Sequence, residues 1–216
     1  MVKVNLVYPK IPDSRNSPTK TCIAFKKYDG TNLHWVWERE LSWYGFGTRR
    51  DRFDLDAQGI KDFNQAHPGL EQSSEIFLEN FAKPLETIFL ENPKYQTSPE
   101  IIVFTEFFGP NSFAGMHKKE DAKELVMFDV QTDKEIISPD EFIIDFAELN
   151  IAEVVYKGKL TGKFKDDVRE GKYDVVEGVI CKGGKGDDLW MVKVKTYEYL
   201  EKLKQAFADD WENYWE

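Results

Sequence analysis

The sequence predicts an α+β fold of mainly antiparallel sheets with peripheral helices. Three observations predict it. Short apolar, aromatic-rich runs of strand length end at turn signals such as Asp29-Gly30 and Gly109-Pro110. Apolar residues at helical spacing form separate blocks between groups of strands instead of following every strand. The 216 residues are 41% hydrophobic, enough for one sizeable core, and show no internal repeat and no linker. One domain over residues 1–216 is the expectation.

Taken in order, residues 9–20 (PKIPDSRNSPTK) are a Pro- and Ser-rich loop. Thr21–Lys27 and Leu33–Glu38 read as paired strands turning at Asp29-Gly30, with a glycine-broken, Arg-rich continuation over 42–54. Ser73 or Ser74 is placed to cap a helix with Ile76, Phe77, Phe81, Leu85 and Ile88 on one face, which Pro84 should kink or split. Ile101–Phe108 and Leu125–Val130 have strand length. Ser138-Pro139-Asp140-Glu141 has capping-box spacing, with Pro at the first helical position. A strand near Ala152–Tyr156, a charged helix over 163–171, and strands at 175–181 and 189–196 around KGGKGDD follow. A last amphipathic helix over 197–216 carries Leu200, Leu203, Phe207, Trp211 and Tyr214; packing on the domain's own core accounts for Trp211 and Trp215.

The composition excludes several classes. No apolar run approaches a membrane span, and the N-terminus lacks the basic-then-apolar pattern of a signal peptide, so a cytoplasmic protein with no membrane partner is expected. Cys22 and Cys181 stand far apart, and His34, His67 and His117 lack metal-ligand spacing, which argues against zinc and against a disulfide. Any metal would be a hard cation on carboxylates. A net charge of −10 argues against bulk affinity for nucleic acid. Residues 1–52, however, hold ten Lys/Arg against five Asp/Glu, leaving room for a local basic surface.

Five stretches carry chemistry-bearing residues, and each has a plain structural reading beside it. Lys26-Lys27-Tyr28-Asp29-Gly30 is either a hairpin turn or a nucleophilic lysine at a strand end. Glu106, inside the aromatic run FTEFFG, and Glu177, ahead of a glycine in VVEGVICK, are edge charges or buried carboxylates that need a partner. Phe128 in VMFDV is core or a stacking platform. Lys193 and Lys195 share one strand face, solvated or functional. The KGGKG stretch lacks the spacing of a phosphate loop.

Together and in this order, over residues 22–196, the stretches resemble the covalent nucleotidyltransferase superfamily of polynucleotide ligases and mRNA capping enzymes, and within it the phage-type ATP-dependent RNA ligases. KYDGTN resembles the nucleotide-accepting motif, FGTRRD the arginine element, TEFFG the third motif, MFDV the aromatic one, EGVICK the fourth and VKVK the fifth. The resemblance implies two sheets flanking a nucleotide cleft, into which Lys27, Glu106, Phe128, Glu177, Lys193 and Lys195 point. It implies ATP with Mg²⁺ or Mn²⁺ as cofactors, RNA ends as the partner substrate, and a covalent lysyl-AMP. Lys27 would be the nucleophile, Lys193 and Lys195 would neutralise the α-phosphate, and Glu177 would help hold the metal. Arg49 and Glu106 would meet the ribose, Phe128 the base, and Lys182 phosphate or base. Asp29 and Gly30 would shape the lysine loop.

Two departures matter. About twenty residues follow the fifth motif, so no OB-fold or other C-terminal domain is expected, and a partner protein is the alternative source of one. Several RNA ligases carry a carboxylate before the nucleophile that reads adenine's amino group; here Lys26, a donor only, stands there. A capping-type guanylyltransferase and a non-catalytic nucleotide-binding module are the alternatives within this fold.

Overall fold

The computed structural model describes residues 7–133 and 135–211, which form two compact units. One gathers Gly30–Ile137 and Glu141–Ile151 with Val7 and Tyr8; the other gathers Pro9–Asp29, Ser138–Asp140 and the residues from Ala152 onward. Among the described residues no helix is long and apolar enough to cross a membrane.

The first unit is built on a five-stranded sheet. Strands β2 (Thr31–Glu38), β3 (Ser42–Thr48), β4 (Phe53–Asp54), β5 (Glu100–Phe108) and β6 (Glu124–Thr132) stand in the order β4-β3-β2-β5-β6, all antiparallel. Helix α1 (Ala57–Ala66) follows β4. Trp35 of β2 stacks on Phe77 at 4.0 Å and on Phe46 at 5.4 Å between ring centres. Its indole N–H donates to Thr105 Oγ1 at 2.9 Å, so Trp35 leaves no polar atom unpaired.

The helical block splits as Pro84 requires, but with a π-turn at the break: α2 (Ser73–Phe77), a π-segment over Leu78–Ala82, then α3 (Lys83–Glu91). Proline lacks the N–H for a normal helical bond, and the wider turn absorbs the gap. It also shifts the buried face. Phe77, Phe81, Leu85 and Phe89 are buried at strict four-residue spacing, whereas Ile76 and Ile88 are only half-buried. Neither Ser73 nor Ser74 caps the helix. Both are buried inside its first turn, and Gln72 stands at the cap without a side-chain bond.

The second unit is a four-stranded antiparallel sheet in the order β7-β1-β8-β9, of β1 (Thr21–Lys27), β7 (Val154–Lys159), β8 (Gly178–Gly183) and β9 (Trp190–Lys195). Helix α5 (Gly162–Arg169) lays Phe164 and Val168 on one face of it. Thr161 caps that helix by accepting from the Phe164 N–H at 3.1 Å. Helix α4 (Pro139–Phe146), which from Glu141 onward belongs to the first unit, begins with Pro at its first position, as its sequence predicts.

Three expectations are corrected. Strands β1 and β2 are not a hairpin; they belong to different sheets. Gly30 serves close approach rather than a positive φ, because a Cβ there would meet the Phe107 carbonyl oxygen at 2.3 Å. The strand near Val175 begins only at Gly178, leaving Glu177 just ahead of it. The last helix, α6 (Tyr197–Phe207), stops at Ala208, whose φ of 44° breaks the helical path. The acids Asp209 and Asp210 also suit a helix C-terminus poorly. Tyr214 and Trp215 lie outside the described residues.

Candidate active site

In the second unit, cross-strand register sorts the side chains into two faces. Lys27, Gly178 and Lys195 form one row across β1, β8 and β9. Phe25, Ile180 and Lys193 form the next, and Ile23, Lys182 and Met191 the third. Side chains alternate along a strand, so Lys27, Lys182, Lys193 and Lys195 share one face. The opposite face carries Cys22, Ala24, Val179, Cys181, Val192 and Val194, the apolar layer under α5. Lys26 falls on that second face and pairs with Glu153 at 3.6 Å.

Glu177 joins the first row. Its Oε2 accepts from Lys27 Nζ at 2.7 Å and its Oε1 lies 3.0 Å from Lys195 Nζ. The carboxylate is buried, and burial alone would raise its pKa; the two lysines outweigh that and hold it below the ordinary glutamate value. Burial lowers Lys195 from the ordinary lysine value, against the pull of Glu177. The backbone fixes the clamp. Gly178 takes φ 148°, and a Cβ there would stand 2.0 Å from the Val194 carbonyl oxygen, so only glycine lets Glu177 turn toward the lysines. Thr196 donates its N–H to the Glu177 carbonyl at 3.0 Å and its hydroxyl to Val176 O at 2.9 Å.

The remaining lysine-side residues have defined places. Lys193 is 6% exposed, and its N–H bonds the Pro12 carbonyl. The Lys182 ammonium lies 5.2 Å from the Phe25 ring centre. Asp29 accepts from the Tyr199 hydroxyl at 2.9 Å, and Lys195 Nζ sits 4.9 Å from that ring's centre. Tyr199 thus ties α6 to the lysine loop. Sequence reading missed it, having put the weight on Leu200 and Leu203 of the same helix.

In the first unit, Glu106 of β5 shares a strand face with Phe104, which stacks on Phe128 with ring centres 6.3 Å apart. A register shift between Phe104 and Thr105 leaves Phe128 without a directly opposing residue, a bulge of the kind that re-aims a side chain. Arg49 donates through Nε and a terminal nitrogen to the Tyr8 carbonyl at 3.3 and 3.2 Å. Asp51 steadies the arginine loop by accepting from Thr48 N and Oγ1 at 2.9 and 2.7 Å, and its other oxygen pairs with His67. Tyr8, the second residue missed, meets Phe104, Phe128 and Arg49. Its only sequence signal is a tyrosine ending an apolar run before Pro9.

Glu177 does not fit a metal as arranged here, because each carboxylate oxygen already serves an ammonium group and a cation would have to displace one. Among the described residues no three His, Cys, Asp or Glu side chains gather as a cation site.

The sequence matches no family model and no curated protein. Its fold is similar to solved structures of ligases. An alanine mutant of the Naegleria gruberi RNA ligase with ATP and Mn aligns at TM-score 0.62 and 15% identity, over 91% of this chain and 58% of that one. An archaeal ATP-dependent RNA ligase aligns at TM-score 0.56 and 14% identity, over 94% and 52%. A putative ATP-dependent DNA ligase from Aquifex aeolicus aligns at TM-score 0.59 and 16% identity, over 96% and 56%. The chain thus spans little more than half the length of each. Two antiparallel sheets with these helices, superposed on ligases across nine-tenths of the chain, identify the fold as that of a ligase-type nucleotidyltransferase domain.

Proposed function

We propose that the protein is an ATP-dependent RNA ligase-like enzyme that forms a covalent lysyl-AMP at Lys27 and passes the AMP to a polynucleotide 5′-phosphate for joining. The observation that carries this reading is the row Lys27–Gly178–Lys195 with Glu177 clamped between the two ammonium groups. A strand-end lysine 2.7 Å from a buried carboxylate is held in one place on the sheet. Three further lysines share its sheet face, an excess of positive charge suited to a polyphosphate.

In this reading Lys27 loses a proton to solvent, and its free amine attacks the α-phosphorus of ATP. A P–N bond forms and the P–O bond to pyrophosphate breaks, with pyrophosphate leaving. Lys193 and Lys195 offset the charge on the α-phosphate, and Lys182 lies further along the same face. An oxygen of the RNA 5′-phosphate then attacks the same phosphorus and the P–N bond breaks; Lys27 regains its proton. Attack by a 3′-hydroxyl on the activated 5′-phosphate releases AMP and joins the ends. Arg49 and Glu106 are assigned to the ribose and Phe128 to the base.

Incubation with α-labelled ATP or GTP and magnesium or manganese, followed by a denaturing gel, tests the reading. Label from ATP alone supports it. Label from GTP alone would make the enzyme a capping-type guanylyltransferase, and no label from either nucleotide would make it a binding module.

The RNA surface is assigned to the Arg-rich loop, where Arg50 and Arg52 are exposed. Affinity for a short RNA, followed by anisotropy, should fall steeply with salt. Changing Arg50 or Arg52 to Ala should flatten the log–log salt slope by about one each. Salt-independent binding would refute the assignment.

A further inference from the structure

Tyr8 lies in no recognised motif, yet it meets both Arg49 and Phe128 of the first unit's candidate residues. Its ring stands edge-on to Phe104 at 4.8 Å and to Phe128 at 5.2 Å, nearly perpendicular to the latter at 85°. Its hydroxyl donates to the carboxylate of Asp129, the residue after Phe128. Its carbonyl takes both Arg49 N–H bonds, and the preceding residue's N–H bonds the Arg49 carbonyl at 3.1 Å. The side chain is 3% exposed and Asp129 1%. Burial and the neighbouring carboxylate push the hydroxyl well above the ordinary tyrosine value, so it remains a donor.

Phe128 is half-buried at a strand bulge with no residue of β5 registered directly opposite it, and Phe104 stacks on its ring. Tyr8 adds an edge-on contact. Its ring is pinned at the hydroxyl end by Asp129 and at the main chain by Arg49, so it is a rigid edge against which only one Phe128 orientation packs. We propose that Tyr8 is a positioning residue for nucleotide binding, holding Phe128 in the orientation that stacks on the base through its own anchor on Asp129. This rests on the assignment of Phe128 to the base.

The test measures KM for ATP and the rate constant of lysyl-AMP formation in single turnovers, with the melting temperature of each variant. Tyr8→Phe should raise KM about tenfold, the scale of one hydrogen bond to a charged group, and change the rate constant less than twofold. In a Phe128→Ala background the same change should add less than twofold, because the ring it positions is gone. Asp129→Asn, which keeps an acceptor for the hydroxyl, should stay within threefold of wild type. Tyr8→Phe takes a hydrogen-bond donor from a buried carboxylate, so the pair Tyr8→Phe with Asp129→Leu is included; it should recover melting temperature without recovering KM. A wild-type KM in Tyr8→Phe, a full effect persisting without Phe128, or a KM restored along with stability in the double variant would each overturn the proposal. Wild-type protein that takes no nucleotide would remove the functional reading itself, a result the wild-type arm separates from failure at Tyr8.

Discussion

Lys27→Ala is expected to abolish covalent labelling from α-labelled ATP, whereas Lys26→Ala is expected to leave it within about tenfold of wild type. The two lysines are adjacent in sequence but project to opposite faces of β1. Lys27 faces the row shared with Lys195 and Glu177; Lys26 pairs with Glu153 on the other side. Lys193 and Lys195 stand on β9, separated from β1 by β8, so neither occupies the place of Lys27. Quantifying label per chain on a denaturing gel checks the pair. Label surviving in Lys27→Ala and vanishing in Lys26→Ala would place the nucleophile one residue away.

Glu177→Ala should have the largest combined effect. Removing a buried carboxylate that serves two ammonium groups leaves two like charges facing each other, and breaking such a buried cluster typically costs about 3–5 kcal/mol. Thermal unfolding should show that loss, and labelling should fall about a hundredfold as Lys27 loses the carboxylate that holds it in place. Extra magnesium or manganese should not restore it, which separates an ammonium clamp from a metal ligand. The pH dependence follows in sign. The folded-state pKa of Glu177 is lowered, so its contribution is complete above the unfolded value of about 4.3 and is lost only as pH falls through the lowered folded value. Glu177→Gln should therefore be less stable than wild type at neutral pH, with the gap closing in strong acid. Equal melting temperatures for Glu177→Ala and wild type would refute the clamp.

Much of this was legible in the chain. Strands β5, β6 and β9 stood out because alternating or continuous apolar runs of strand length are bounded by turn residues. The face shared by Lys193 and Lys195 follows from their spacing of two. Pairing was not legible in the same way. Asp29-Gly30 looks like a hairpin because a turn dipeptide between two apolar runs has a local signature, whereas the switch of β1 into another sheet is set by partners 150 residues away, such as Gly178. The π-turn before Pro84 escaped because a four-residue spacing reads as an ordinary helix until the backbone shows its wider turn. Tyr8 and Tyr199 escaped for a related reason. Each acts through partners far away in sequence, among them Asp129 and Asp29, and one aromatic residue carries no pattern of its own. The double service of Glu177 was likewise hidden, since a carboxylate before a glycine does not reveal how many cations face it.

Mapping the nucleotide adduct tests the central claim most directly. Wild-type protein incubated with ATP and magnesium, digested under conditions that preserve a phosphoramidate and analysed by tandem mass spectrometry, should carry a single AMP on the peptide holding Lys27, with the fragment ions placing it on that side chain. An AMP on Lys26, Lys193 or Lys195 would contradict the account, as would an intact chain that stays unmodified across nucleotides and metals.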